Sequence, residues 1–242
     1  MQCNVHDNDR SDEALRHVLD GTAMLFVGSG VGFLSKAADQ STLPNGKALA
    51  DILHREVGIP PGRHSLQRIA QHAIKKLGPD HILALLKKTL SVNEVDPRLQ
   101  SIYRAPWQRI YTTNYDDAIE LSRRGEAIVS AFTLSDDPMS APQGSICHLN
   151  GYIGSIKPAS FDEDAVLTDT SYSINEFSNS PWARQFLVDI RTSRSIIFLG
   201  YSMSDLDIVK LLISDPDVRD RTLIYVSPDT DEVDIDTLSA YG

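Results

Sequence analysis

"RIYTTNYDDAIE" (residues 109–120) starts as one kind of segment and ends as another. Ile110 and Tyr111 are the β-branched and aromatic residues that a sheet interior favours. Thr112, Thr113, Asn114, Tyr115, Asp116 and Asp117 then follow without a break. A core strand that stops in a block of polar side chains fits a doubly wound parallel sheet, where ligands bind outside the carboxyl ends of the strands.

The rest of the chain repeats the pattern. "TAMLFVGSGVG" (22–32) is a short apolar strand that breaks at glycines, "SICHLNGYIG" (145–154) runs into polar residues and glycine, and "SIIFLGYSMSD" (195–205) stops at Gly200. "RTLIYVSPD" (221–229) reads as a further buried strand. Between them lie helices. Leu66, Ile69, Ala70, Ala73, Ile74 and Leu77 fall on one face at helical spacing, Gly78 ends that helix, and Pro79 opens the amphipathic "DHILALLKKTL" (80–90). A helical stretch thus follows the first strand through about residue 90. Ser180 caps, and Pro181 opens, a helix over 180–194, and Ser204 with Asp207 forms a capping box for the next. Residues 157–179 are polar and irregular, with β-like pieces such as "AVLT", and read as a lid or insert.

Alternating strands and helices give an α/β fold: a Rossmann-like, doubly wound, largely parallel sheet with a helical insert after the first strand and a small lid insert. Residues 1–20 form a polar, helical N-terminal segment, and 21–242 the ligand-binding domain.

A chain of 242 residues is long enough for one sizeable α/β domain. Its net charge of −10 argues against a phosphate-neutralising surface, so direct nucleic-acid binding is not expected. Cys3 and Cys147 are the two cysteines; they cannot build a four-cysteine zinc module, and a disulfide framework is not expected, which fits a reducing, cytoplasmic setting. The N-terminus has no apolar signal core, and no run approaches the roughly 20 apolar residues of a membrane span.

Each strand end carries two readings. Gly28-Ser29-Gly30 lets backbone N–H groups approach a pyrophosphate, or is simply a tight turn. The dinucleotide fingerprint G-x-G-x-x-G is incomplete, because position 33 is Phe33. Asn114 and Asp116 alternate along an extended chain and so face one side, where an amide and a carboxylate can hold a ribose and a carboxamide. The competing reading makes Asp116, or more readily Asp117, the N-cap of the following helix. His148 and Asn150 likewise share a face, and His148 has the chemistry of a base near neutral pH, although a lone strand histidine is more often a core residue. Gly200, Ser202, Asp205 and Asp207 are placed to line the adenosine side, although Asp205 and Asp207 are more simply helix-start acids.

Taken in order, "FVGSGVG", "TTNYD", "HLNG" and "FLGYSMSDLDI" resemble the motifs of the sirtuin-like family, and within it the bacterial anti-phage, NAD-hydrolysing branch. Pro44 falls where that branch often carries a proline before a helix. The resemblance spans about residues 20–241 and implies an NAD+ glycohydrolase that releases nicotinamide and ADP-ribose. It implies that Asn114 holds the ribose or the attacking water, that Asp116 contacts the nicotinamide carboxamide, and that His148 is the base. Gly28, Ser29 and Gly30 would take the pyrophosphate; Thr113, Asn150, Gly151, Gly200, Tyr201, Ser202 and Asp205 would complete the NAD+ site, with no metal. Deacylating sirtuins carry a zinc on four cysteines, so a deacylase or transferase is disfavoured. In those enzymes the catalytic histidine immediately precedes glycine; here Asn150 precedes Gly151, which keeps open a non-catalytic NAD or ADP-ribose sensor. The resemblance also implies an effector part of a longer protein, coupled to a sensor domain or partner and oligomeric when active.

Overall fold

A computed structural model describes residues 5–126, 130–174, 177–203, 206–213, 215–227 and 230–241. Helix α1 (Val5–Leu19) leads into strand β1 (Ala23–Val27), followed by a single 3-10 segment and strand β2 (Ser35–Ala37). Three helices come next: α2 (Gly46–Glu56), α3 (Leu66–Leu77) and α4 (Pro79–Leu90). Strand β3 (Val92–Val95) and helix α5 (Pro97–Arg104) precede β4 (Arg109–Thr112), α6 (Ala118–Ser122), β5 (Ala131–Thr133) and β6 (Ile146–His148). Short helices α7 (Phe161–Asp164) and α8 (Asp169–Ile174) are followed by α9 (Pro181–Thr192) and β7 (Ser195–Leu199). The last elements are α10 (Leu206–Ile213), α11 (Pro216–Asp220), β8 (Thr222–Tyr225) and α12 (Glu232–Leu238).

Six strands form one sheet in the order β5-β6-β4-β1-β7-β8, and every pairing in it is parallel. From β1 the chain places β4 beside it, β5 at the far edge and β6 between those two, then crosses back to place β7 on the other side of β1. The switch point therefore lies between β1 and β7, where such sheets hold their ligands.

The β1 strand is buried along its whole length because both sheet faces are covered. Met24 and Phe26 point into one core with Tyr111, Trp182, Phe186 and Phe198, under helix α9. Ala23, Leu25 and Val27 point into the other with Val18, Leu99, Tyr103 and Ile119, under α1, α5 and α6. Phe26 stacks on Phe198 at 5.1 Å and lies tilted against Tyr201 at 4.6 Å between ring centroids, coupling the core to the end of β7.

The insert after β1 is helical as expected, with Ile69, Ala70 and Ala73 buried on the face that periodicity predicts. Gly78 ends α3 at φ 86°, a conformation that favours glycine. Ser180 accepts a hydrogen bond from Ala183 N at 3.2 Å, so the predicted cap of α9 is present. The capping box at Ser204 lies outside the described residues.

Three local expectations change. β2 and β3 pair antiparallel as a separate ribbon flanking the helical insert, and β5 adds an edge strand after β4. "AVLT" (165–168) is not a strand. It packs against α3 and α4 through Ala165 and Leu167, and its turn into α8 is tied by the Ser171 hydroxyl, which accepts from Leu167 N and Thr168 N. Part of the expected polar lid is therefore a packed wall: Phe161, Ala165 and Leu167 join the same cluster as Leu53, Ile82 and Leu86.

Candidate active site

The carboxyl ends of β1, β4, β6, β7 and β8 open into one cavity of about 710 Å³. That is the size of a small-molecule site. Its second wall comes from the helical insert: Pro44, Asn45, Gly46 and Lys47 at the start of α2, with Leu66 and Leu90. Helix α12 and Tyr241 close a third side.

Glycine at the switch point is required by backbone contact. A Cβ on Gly28 would stand 2.4 Å from Gly200 O, and one on Gly30 would stand 2.7 Å from the same atom. Gly200 has φ 63°, and a Cβ there would meet Val31 N at 2.7 Å. The two loops are also bonded: Gly28 N donates to Leu199 O at 3.0 Å and Gly30 N to Gly200 O at 2.8 Å. These two N–H groups are thus already committed, so the glycines serve loop-to-loop packing first. Ser29, Gly30, Gly200, Tyr201 and Ser202 line the cavity; Gly28 sits behind it.

The polar block after β4 is held from several directions. Thr112, fully buried, donates its hydroxyl to Val27 O at 3.0 Å and accepts from Asn114 N at 3.0 Å. The next three carbonyls are each pinned: Thr113 O by Asn150 Nδ2 at 3.2 Å, Asn114 O by His148 Nδ1 at 2.8 Å, and Tyr115 O by Ile153 N at 2.8 Å. Tyr115 adds a hydroxyl bond to Val166 O at 2.7 Å. With its main chain fixed, the loop presents Thr113, Asn114 and Asp116 to the cavity. The Asn114 carboxamide makes no hydrogen bond with the described residues, so it is available to a ligand.

The helix-start acids exchange the roles expected of them. Asp117 stands at the N-cap position of α6, but its carboxylate accepts from Val92 N at 2.6 Å and ties the loop to β3. Asp116 accepts from Ala118 N at 3.1 Å while also lining the cavity. Burial pushes its pKa up to about 6, against the Ala118 N–H and the His148 charge, which pull it down.

His148 and Asn150 do not share a face of the cavity. Strand β6 ends at His148, and the chain bends before Gly151, which has φ 105°, so strand alternation stops one residue too early. Asn150 lines the cavity; His148 is fully buried behind it. Both of its ring nitrogens are engaged. A carbonyl only accepts, so Nδ1 carries a proton toward Asn114 O. Nε2 lies 2.8 Å from Glu120 Oε1. Burial alone would depress this imidazole, but the Glu120 charge and hydrogen bond, the Asn114 carbonyl and the Asp116 charge outweigh it, and the pKa is raised. Among the described residues Glu120 Oε2 has no hydrogen-bond partner.

Gly151 does not line the cavity either. A Cβ there would lie 2.2 Å from Asp164 O, so it permits close packing of the 161–167 wall. Asp205 lies outside the described residues. Sequence reasoning missed Glu120, Lys47, Tyr172 and the α12 residues Asp234, Thr237 and Leu238. Only Pro44 gave any hint of the α2 wall.

A parallel doubly wound sheet with a preorganised polar loop at its carboxyl edge places the chain among Rossmann-like α/β folds. Comparison with known proteins narrows the class: the SIR2-like domain family matches residues 108–227, from the residue before β4 to just past β8. The chain is also 27% identical over 201 residues to Defense-associated sirtuin 2 of Bacillus subtilis, covering 80% of this chain and 19% of that protein. Over residues 108–227 the chain is thus similar to a SIR2-like domain. It spans about a fifth of the length of that curated relative. No described helix is long and apolar enough to cross a membrane.

Proposed function

We propose that the cavity binds NAD+ and that the chain is an NAD+ glycohydrolase. The observation that carries this reading is the loop after β4, whose clamped main chain turns Asn114 and Asp116 into the cavity at the switch point. The nicotinamide–ribose bond breaks with its electron pair leaving on the nicotinamide nitrogen. Water then adds to the oxocarbenium-like C1′. A rigid constellation suits such a reaction, because positioning and electrostatics do most of the work. Asn114 holds the ribose or the attacking water. Ser29 and Ser202 flank the crossing of the β1 and β7 loops, where the pyrophosphate and adenosine half lie.

A similar protein is by name a defence-associated sirtuin, which supports an anti-phage role. NAD+ depletion in the cytoplasm would be the effector step. An unregulated NADase would be toxic to its own cell, so we propose control by a sensor domain or partner protein, with activity in a homo-oligomer. One observation favours a second reading, a non-hydrolysing NAD or ADP-ribose sensor: Asn150, not histidine, lines the cavity before Gly151.

Chromatographic analysis of NAD+ incubated with the protein separates the two readings. Equimolar nicotinamide and ADP-ribose support the glycohydrolase. Saturable NAD+ binding with no product supports the sensor.

A further inference from the structure

A base for water attack must reach the cavity and keep an acceptor atom free. His148 does neither. It is fully buried, its Nδ1 proton is given to Asn114 O, and its Nε2 is paired with Glu120. Asn150 is an amide and does not titrate. Asp116 lies on the wall beside Asn114. Its Oδ1 accepts from Ala118 N, and its Oδ2 accepts no hydrogen bond from the described residues. The other charged side chains on the described wall, Lys47 and Asp234, belong to α2 and α12.

We propose that Asp116 is the general base of this site and that His148, locked to Glu120, is a positioning residue that holds Asn114 through its carbonyl. The assignment rests on the glycohydrolase reading. As the C1′–nitrogen bond breaks, neutral nicotinamide departs with the electron pair. The water oxygen bonds to C1′, and its proton passes to Asp116 Oδ2 and then to solvent. Nothing is oxidised or reduced. A carboxylate doing this work is familiar from glycoside hydrolysis, which also passes through an oxocarbenium-like centre. Replacing an imidazole with a carboxylate as base would explain how a site with asparagine before its glycine still turns over.

The groups that face Asp116 set its titration: His148 on β6, Glu120 on α6, the adjoining Asp117, and Tyr103 on α5, whose own phenol feels the Asp116 charge. With Asp116 titrating at about 6, the rate should fall as pH drops through that region.

The test measures nicotinamide release and NAD+ binding together for the parent, Asp116→Asn, Asp116→Ala with and without formate, and His148→Gln. Asparagine can still accept from Ala118 N, so Asp116→Asn should fold. The proposal expects Asp116→Asn to lose about 100-fold or more in kcat, a range ordinary for a lost base, with NAD+ affinity within about threefold. Formate should restore part of the Asp116→Ala rate. His148→Gln should lower kcat and move the acid limb to higher pH, because it removes the charge that pulls Asp116 down, but it should not remove the limb. If Asp116→Asn retains kcat while His148→Gln abolishes the acid limb, the assignment is overturned and the glycohydrolase reading stands. A parent that binds NAD+ without releasing nicotinamide overturns the glycohydrolase reading, and the assignment with it.

Discussion

Asp116→Asn removes a charge that the fold disfavours. The carboxyl rises from its ordinary 3.8 to about 6 because burial penalises the ionised form. A raised folded-state pKa in an acid means that ionisation opposes folding above that pKa. Taken at full value the shift corresponds to roughly 3 kcal/mol at pH 7.5 or above. Solvent at the cavity mouth lowers that ceiling, so about 1–3 kcal/mol is expected. For a chain of this size each kcal/mol moves the melting point by about 2–4 °C. The variant should therefore melt several degrees above the parent at pH 7.5. Its advantage should shrink as pH falls from about 6 toward 4, where the parental carboxyl is protonated too. Urea denaturation of both proteins at pH 7.5, 6 and 4.5 measures this. A gain in stability together with lost turnover is the pattern of a residue kept for function. A variant less stable than the parent at pH 7.5, or a difference that does not change with pH, would refute the reasoning.

Other perturbations follow from the same geometry. His148 has a raised folded-state pKa, so its contribution is present below about 6.5 and lost as pH rises through the folded value; Glu120→Gln should remove much of that slope and destabilise the protein by about 3–5 kcal/mol near pH 6, read by urea melts across pH. Gly28→Ala should weaken NAD+ binding at least tenfold, read by calorimetry, because its methyl group would meet Gly200 O at 2.4 Å and part the two loops. Asp189→Ala should cost about 3–5 kcal/mol by leaving the buried Arg109 guanidinium without its partner at 2.8 Å, while the KM for NAD+ in the folded fraction stays unchanged, since Arg109 begins β4 at the end away from the cavity.

The central sheet was legible in the sequence because β1, β4 and β7 are short, mostly apolar runs that end abruptly in glycine or polar residues. Thr112 to Asp116 could be read as a strand end at a ligand site because no core strand would otherwise finish in that many polar groups. The α3 helix was legible from the spacing of Ile69, Ala70 and Ala73. What stayed hidden depends on contacts distant in sequence. β2, β3 and β5 are three or four residues long and partly exposed, too short to show a period. Asp116 and Asp117 are equivalent by capping rules. Only the approach of Val92 N separates their roles. His148 and Asn150 share a face only if the strand continues, and it stops at His148. Glu120 has no signal of its own. It matters because α6 lays it 2.8 Å from the imidazole at the end of β6. "AVLT" has strand-like composition, but Ser171 and the α3–α4 surface draw it into a turn. The α12 wall comes from residues that follow the last strand and carry no motif.

Nicotinamide release from NAD+ by the parent and by Asn114→Ala, at high protein concentration, tests the account most directly. The Asn114 carboxamide makes no hydrogen bond within the described fold, so the substitution should leave the melting point within about 1–2 °C, as is usual for changes away from core contacts. The account predicts nicotinamide from the parent and none above background from the variant. Equal release from both, or none from a parent that binds NAD+, would contradict it.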